Sequence, residues 1–197
     1  MASLRESCGV FAVYAPAEDV ARITFYGLYA LQHRGQESAG IATTDGERIH
    51  VRKDMGLVSQ VFQEEDLSHL PGFAAIGHTR YSTTGSSRVE NAQPFRVEGP
   101  NGVIALGHNG NIVNAELLRA ELAEEGREFA TSTDSEVIAH LVATAPGRDW
   151  GERMAYVMRR VNGAFCLTIL TPEGFLAVRD PLGLRPLALG RLDAGLA

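Results

Sequence analysis

The run at residues 164–170 is apolar on both faces of the strand that it predicts, and this feature constrains the fold most. A strand of this kind must be covered on both sides, because an uncovered face would leave apolar area in water. The run at 73–77 predicts a second buried strand. Helices are predicted by apolar spacing after Asp19 and by N-cap signals at Asn114 and Thr133. Because strands and helices do not alternate regularly, the pattern favours an α+β fold with helices outside packed sheets.

The size and charge of the chain exclude several classes of protein. Its 197 residues suit one domain of ordinary size. The 45% of hydrophobic and 21% of charged residues are close to globular averages, so a sizeable core is available. The formal net charge of −6 argues against a nucleic-acid partner, because such domains are typically basic. No run reaches the roughly 18 apolar residues of a membrane span, and residues 1–7 lack the apolar segment of a secretory signal.

The two cysteines, Cys8 and Cys166, stand far apart and match no disulfide or metal-binding spacing. This usage predicts a cytoplasmic location, where a thiol nucleophile stays reduced. Cys8 stands at the head of an apolar run, 9–13, that predicts a strand. If residues 1–7 are removed, Cys8 carries both a thiol and a free α-amine, whose ordinary pKa of about 7.7–8.0 suits a proton acceptor. The alternative is that Cys8 is a small buried hydrophobe, as free cysteines usually are.

Polar segments that follow predicted strands or begin predicted helices carry the other candidate groups. Loops are predicted directly after the strands at 73–77 and 103–106, where a rigid scaffold tends to present functional side chains. An arginine can bind an α-carboxylate through two hydrogen bonds, an aspartate can bind an α-ammonium, and an asparagine amide beside a glycine N–H can stabilise an oxyanion. These groups suit an amino acid substrate, and the candidates are Arg34, Arg80, Thr83, Asn109, Gly110 and Asp134.

Each of these groups also has a purely structural interpretation. Arg80 can be a surface ion-pair partner, and Asp134 occupies the first turn of a predicted helix, where an acid is favoured. Asn109 and Gly110 form a common turn dipeptide. Residues 83–87 resemble a phosphate loop only weakly, because no lysine follows at the required spacing. The six histidines show no metal-ligand spacing and are interpreted as structural or surface groups.

Six segments taken together are a more specific sign of a protein family than any one of them is. They are CGVF at 8–11, QHRGQESAGI at 32–41, HTRYST at 78–83, NAQPF at 91–95, HNGN at 108–111 and TDSE at 133–136. In this order they resemble the N-terminal class II glutamine amidotransferase (glutaminase) domain of the amidophosphoribosyltransferase family, from Cys8 to about Leu189. The related domains of glucosamine-6-phosphate synthase and asparagine synthetase share the N-terminal cysteine and the Asn-Gly pair. Segments 32–41 and 91–95 resemble the purine enzymes best.

The resemblance implies an N-terminal nucleophile hydrolase fold, a four-layer sandwich with two antiparallel sheets between helices. It also implies that Cys8 attacks the side-chain amide carbon of glutamine and forms a γ-glutamyl thioester as ammonia leaves. The α-amine of Cys8 would carry the proton, and Asn109 with Gly110 would form the oxyanion hole. The ammonia would serve the synthesis of 5-phosphoribosylamine, the first step of purine synthesis.

The remaining candidates receive substrate-binding roles from the same resemblance. Arg80 would bind the α-carboxylate of glutamine with Thr83 beside it, and Asp134 would bind the α-ammonium. Arg34, in a loop near the nucleophile, would be a supporting residue.

Two departures from the family pattern bear on the domain organisation. Residues 1–7 are interpreted as a propeptide that is removed by cleavage before Cys8, so that 8–197 form the glutaminase domain. The phosphoribosyltransferase domain of the family is absent from this chain. No metal or cofactor is therefore expected here, and Mg²⁺ and a possible iron–sulfur cluster are expected only on the missing domain.

The expected partners are glutamine, a phosphoribosyltransferase domain in cis or in trans, and further copies of the full-length protein, without nucleic acid or membrane. Two other functions stay open from the sequence. One is an inert, unprocessed glutamine-binding or docking domain, and the other is a glutaminase that serves a different acceptor, such as a sugar phosphate.

Overall fold

The structure is a computed structural model that describes residues 8–81, 88–192 and 195–197. In these parts of the chain, the α-helices α1 to α6 are Val20–Ala30, Val58–Val61, Glu64–Ser68, Ala115–Glu124, Asp134–Thr144 and Trp150–Arg160. The strands β1 to β8 are Gly9–Tyr14, Ser38–Thr44, Ile49–Met55, Ala74–Arg80, Phe95–Gly99, Gly102–Ile112, Gly163–Thr171 and Gly174–Arg179. Two short strands, β9 at Arg191–Leu192 and β10 at Gly195–Leu196, and two 3₁₀ helices at Gln32–Arg34 and Val89–Asn91 complete these elements.

The strands form two antiparallel sheets. The first has the order β3-β2-β4-β1-β10-β9, and the second has the order β5-β6-β7-β8. In the first sheet, β4 lies between β1 and β2, with Thr79 opposite both Gly9 and Ala39. The short strand β10 pairs with β1 through Leu196 and Tyr14, an element that the sequence pattern did not predict.

The sheets pack against each other, and helices cover their outer faces. Ile76 of the first sheet and Ala105 of the second belong to the apolar cluster between the sheets. Leu28 of α1 and Ile41 of β2 belong to the cluster that α1, α2 and α3 form on the outer face of the first sheet. The largest cluster joins α4, α5 and α6 to the second sheet. This arrangement confirms the expected α+β sandwich of two sheets between helical layers.

Strand β7 shows why residues 164–170 are apolar on both faces. Phe165, Leu167 and Ile169 pack toward the helices, whereas Leu170 packs into the space between the sheets. The prediction that this strand is covered on both sides is confirmed.

Helix boundaries follow from local hydrogen bonds at their first turns. The carboxylate of Asp19 accepts a hydrogen bond from the backbone N–H of Arg22 at 3.0 Å and caps α1. The hydroxyl of Thr133 accepts one from the N–H of Glu136 at 3.3 Å and caps α5. The spacing of Thr133 and Glu136 predicts a capping box, but only its Thr133 half forms, because the Glu136 carboxylate accepts hydrogen bonds from the backbone N–H groups of residues 130 and 131.

Two predicted loops are strands in the structure. Strand β4 continues through His78, Thr79 and Arg80, and β6 continues through residues 107–112. The interpretation of Asn109-Gly110 as a turn was therefore wrong. Residues 78 and 79 of β4 pair with both β1 and β2, and residues 107–112 of β6 pair with β7. This ladder pairing satisfies backbone N–H and C=O groups, so extended structure persists although the side chains are polar.

The apolar residues of α4 predict that Leu117, Leu118 and Leu122 all point inward, and for Leu117 this is wrong. Its side chain is exposed, whereas Leu118 and Leu122 are buried as predicted.

Candidate active site

A cavity of about 360 Å³ lies where β4, β6 and the start of α5 meet. Four of the candidate residues line it: Cys8, Arg80, Gly110 and Asp134. The other lining residues are Tyr81, Asn91, Gln93, His108, Asn111, Ile112, Val113, Ala115, Glu116, Ser132, Thr133 and Ser135. Sheet pairing and sheet packing thus bring together groups that are far apart in the sequence.

The thiol of Cys8 is held against the backbone of Tyr81. The N–H of Tyr81 donates to Sγ of Cys8 at 3.4 Å, and the carbonyl oxygen of Tyr81 lies 3.7 Å from the same sulfur. Burial raises the pKa of the Cys8 thiol, although the Tyr81 N–H and the Arg80 guanidinium act in the opposite direction. The thiol is therefore protonated at neutral pH and needs a base before it can act as a nucleophile.

Arg80 ends strand β4 next to the nucleophile. It lies opposite Ser38 of β2, and its neighbour Thr79 lies opposite Gly9, which follows Cys8. Nη1 of Arg80 donates to Oε1 of Glu37 at 2.8 Å, and the two side chains are only 6% and 15% exposed. The structural alternative of a surface ion pair is wrong, because this pair is buried beside the cavity.

Asn109 and Gly110 lie near the end of β6. Ala105 faces the first sheet, so the alternation along a strand turns Asn109 toward the first sheet as well. Asn109 is buried, does not line the cavity, and its Oδ1 has no hydrogen-bond partner among the described residues. Gly110 forms part of the cavity wall and packs closely against β7.

Asp134 is the first residue of α5, as the helix-start interpretation predicted, and it also faces the cavity. Its Oδ2 accepts a hydrogen bond from the backbone N–H of Ile112 at 3.1 Å. Its Oδ1 lies 3.4 Å from Oγ of Ser135 and 3.9 Å from Nδ1 of His108. Strand β6 therefore orients this carboxylate, and 23% of the side chain stays accessible.

Of the two remaining candidates, Arg34 does not line the cavity. Nε of Arg34 donates to the carbonyl oxygen of Cys8 at 3.4 Å, so Arg34 contacts the nucleophilic residue through its backbone. Thr83, together with the weak phosphate-loop pattern at 83–87, lies outside the described residues.

Two buried histidines near the cavity were given no specific role by the sequence pattern. Nδ1 of His108 lies 2.9 Å from Oγ of Ser135, and burial lowers the pKa of His108, against the opposing effect of Asp134. Burial also lowers the pKa of His78 to about 3, and its Nε2 donates to the carbonyl oxygen of His108 at 3.1 Å. In the sequence, the only indication that these two histidines belong to the site was that each lies within one of the six segments that resemble the family.

Gln93 was also missed as a site residue. Its amide lies against the backbone of His108 and the hydroxyl of Ser135. The quoted segment 91–95 contains it, but nothing in the sequence shows that its side chain reaches β6.

Within residues 8–81, 88–192 and 195–197, no group of three or more His, Cys, Asp or Glu side chains is arranged to hold a metal ion. Within the same residues, no helix is long and apolar enough to cross a membrane.

The fold is that of a glutamine amidotransferase domain. A family model described as "Glutamine amidotransferase domain" matches residues 78–197, and the chain belongs to this family. It is a glutamine amidotransferase domain of the kind found in amidophosphoribosyltransferases.

Two relatives show how close that similarity is. The chain is 58% identical over 191 residues to the amidophosphoribosyltransferase of Synechococcus elongatus, covering 96% of the chain and 39% of the relative. It is 53% identical over 201 residues to that of Mycobacterium tuberculosis, covering 98% of the chain and 38% of the relative. The chain thus spans about two fifths of the length of these relatives.

Solved structures agree with this assignment. The glutamine phosphoribosylpyrophosphate amidotransferase from B. subtilis, complexed with ADP and GMP, superposes with a TM-score of 0.85 at 41% identity, covering 95% of this chain and 40% of that one. A structure described as the allosteric regulatory enzyme of purine biosynthesis superposes with a TM-score of 0.88, also at 41% identity and with the same coverage.

Proposed function

We propose that this chain hydrolyses glutamine to glutamate and ammonia with Cys8 as the nucleophile. The observation that carries the proposal is a shared cavity of about 360 Å³ whose lining includes Cys8, Arg80, Gly110 and Asp134. A thiol that faces groups able to bind both charged ends of an amino acid suits attack on its side-chain amide.

The covalent step needs a base. The sulfur attacks the amide carbon, a C–S bond forms, the C–N bond breaks, and ammonia leaves with the proton that the thiol released. Because burial raises the pKa of Cys8, the thiol does not lose this proton unaided at neutral pH. The free α-amine of a processed Cys8 would take the proton and pass it to the leaving nitrogen. Water then hydrolyses the thioester to glutamate and restores the thiol.

The other candidates bind and polarise the substrate. Arg80 binds the α-carboxylate, with Thr83 beside it, and Asp134 binds the α-ammonium. The side-chain amide of Asn109 and the N–H of Gly110 stabilise the oxyanion.

Arg34 supports the nucleophile through its contact with the Cys8 carbonyl oxygen. This contact helps to hold Cys8 at the head of β1 without bringing a guanidinium into the cavity.

Removal of residues 1–7 is part of the proposal, because only cleavage before Cys8 frees the amine. An unprocessed chain would bind glutamine without releasing ammonia, which is the behaviour of the alternative inert domain. Active protein that still carries residues 1–7 by intact-mass measurement would contradict this step.

We further propose that the ammonia serves the formation of 5-phosphoribosylamine in the cytoplasm. The relatives named amidophosphoribosyltransferase support this assignment, and so does the purine-biosynthesis enzyme of similar fold. The phosphoribosyltransferase part, with Mg²⁺ and any iron–sulfur cluster, would be supplied in cis or in trans, in an assembly of several copies. A glutaminase that serves a sugar phosphate is the alternative.

The test is to incubate the purified chain with glutamine, measure ammonia, and determine the N-terminal residue of the same sample. We expect ammonia release from protein that begins at Cys8. Cys8→Ala should abolish the release without unfolding the chain. Cys166→Ala is the matched control for the loss of a thiol: Cys166 lies opposite Asn109 on β7 but does not line the cavity, so most of the ammonia release should persist. Undiminished ammonia release by Cys8→Ala would overturn the proposed function.

A further inference from the structure

One buried amide joins the two halves of the candidate site. Oε1 of Gln93 accepts a hydrogen bond from the backbone N–H of His108 at 2.6 Å, and its Nε2 lies 3.4 Å from the carbonyl oxygen of His108. The same Nε2 donates to Oγ of Ser135 at 3.1 Å. His108 directly precedes Asn109 and Gly110, and Ser135 directly follows Asp134. Gln93 therefore ties the strand that carries the oxyanion groups to the helix that carries the ammonium-binding carboxylate.

A half-buried group, Lys53, holds the segment that presents Gln93. Nζ of Lys53 donates to the carbonyl oxygen of Ala92 and lies 4.8 Å from the ring centroid of Phe95. These two contacts flank Gln93 on either side along the chain. Lys53 is the only lysine in the sequence.

Strand β2 closes the remaining side of this segment. Gly40 lies opposite Lys53 in the β2–β3 ladder, and a Cβ at Gly40 would lie 2.1 Å from the carbonyl oxygen of Gln93. The first sheet therefore packs directly on the Gln93 backbone and leaves it little room to shift.

Because Lys53 is partly buried, its hydrogen bond and ring contact must compensate for lost solvation of the amine. Burial lowers the pKa of Lys53 to about 8, although Glu136 and Glu90 act in the opposite direction. A desolvated amine of this kind is unfavourable unless its hydrogen bonds and ring contact compensate. A purely apolar side chain would fill the space with less cost in solvation but would not hold the Ala92 carbonyl.

We propose that Lys53 and Gln93 are positioning residues that together set the spacing between the oxyanion pair, Asn109 and Gly110, and the carboxylate of Asp134. Neither touches the reacting atoms. Lys53 acts through Gln93, and Gln93 acts through His108 and Ser135. This inference rests on the proposed glutaminase function.

The kinetic test uses Gln93→Met, which keeps the size of the side chain and removes its hydrogen bonds. Because misplaced groups lose mainly transition-state stabilisation, we expect kcat for ammonia release to fall about 10- to 100-fold and KM for glutamine to change less than about threefold. Lys53→Met should lower kcat by a smaller factor, with the same small effect on KM.

The double variant tests whether the two residues act in series. If Lys53 acts through Gln93, adding Lys53→Met to Gln93→Met should lower kcat by less than about twofold, since coupled residues are not additive. The control is Arg52→Met, the neighbouring cation on β3, which pairs with Asp54 and Asp66 on the surface and should leave kcat unchanged. If the decreases in kcat of the two single variants multiply fully in the double variant, Lys53 does not act through Gln93, and the inference is overturned.

Hydrogen exchange tests the same inference without using activity. The His108 N–H donates to Gln93, so its exchange should become at least about tenfold faster in Gln93→Met, and faster to a smaller degree in Lys53→Met. Unchanged exchange in both variants would overturn the inference. If the wild-type chain releases no ammonia, the proposed function fails. The hydrogen-exchange rates then still test whether Gln93 and Lys53 hold His108 in position.

Discussion

Gly110 approaches the neighbouring strand so closely that a Cβ on it would lie 2.0 Å from the carbonyl oxygen of Ala164. The same Cβ would lie 2.8 Å from Nε2 of His108. A residue with a side chain cannot occupy this position without moving β6 away from β7, and β6 carries both proposed oxyanion donors. The absence of a Cβ is thus a requirement of the sheet as well as of the site.

Gly110→Ala should therefore lower both stability and activity. We expect the free energy of unfolding to fall by about 1–3 kcal/mol or more, because the clash is with backbone that cannot rotate away. Urea denaturation measures this change. Gly151→Ala is the control, since Gly151 lies in the first turn of α6 and its Cβ would meet no backbone atom, only the N-cap carboxylate of Asp149 at 3.2 Å. That variant should gain up to about 1 kcal/mol from helix propensity. Equal stabilities for the two variants would contradict the close packing of Gly110.

The buried pair of Arg80 and Glu37 allows the structural and binding roles of Arg80 to be separated. Arg80→Gln leaves the Glu37 carboxylate buried without its cation, which should cost about 3 kcal/mol of stability or more. Adding Glu37→Gln should restore most of this loss, because the stranded charge is gone. Glutamine binding, measured by calorimetry in a Cys8→Ala background that cannot turn over, should be lost in both variants. Recovery of binding in the double variant would show that Arg80 does not bind the substrate carboxylate.

Two carboxylates line the cavity, and only one is expected to bind the substrate ammonium. Asp134→Asn keeps an acceptor for the Ile112 N–H and removes the charge, so KM for glutamine should rise about tenfold or more while kcat changes less. Glu116→Gln changes an exposed carboxylate of the same cavity and should leave KM nearly unchanged. Steady-state kinetics on both variants measure this difference. A larger effect of Glu116→Gln would reassign the ammonium site.

The buried His78 should make the fold sensitive to acid. Its pKa is lowered to about 3 in the folded chain, whereas an unfolded histidine binds a proton below about pH 6.5. Between these pH values the unfolded state binds more protons, so stability falls as the pH is lowered. From pH 7 to pH 5 this one group should remove about 2 kcal/mol.

Urea denaturation at the two pH values tests this expectation. His78→Gln should lose less stability between pH 7 and pH 5 than the wild-type chain does. His69→Gln, at an exposed position, should behave as the wild type does. An unaltered acid response in His78→Gln would show that this histidine is not the buried neutral group.

The candidate site was predicted from sequence to different extents for different residues. Cys8, Arg80, Gly110 and Asp134 were predicted and line one cavity. Their roles stay predictions until the variants are measured.

The side chains that contact the site residues were not predicted, because a hydrogen bond between distant segments leaves no local pattern in the sequence. Glu37 reaches Arg80, and Gln93 reaches His108, only because β2, β4 and β6 are stacked in two sheets. Composition and spacing describe a side chain's neighbours along the chain, whereas these contacts depend on strand register and on the packing of one sheet against the other.

The amino-acid sequence by itself determined which segments are apolar on one face or on two, where α1 and α5 begin, and which side chains can carry out amide chemistry. These properties depend on residues within a few positions of one another, so local spacing and capping are enough. Tertiary structure alone decided that β4 and β6 extend through their polar ends, that Arg80 pairs with Glu37, and that the thiol of Cys8 lies against the backbone of Tyr81. Ladder pairing and desolvation arise only when distant segments meet, and they set both the shape of the cavity and the protonation of its nucleophile.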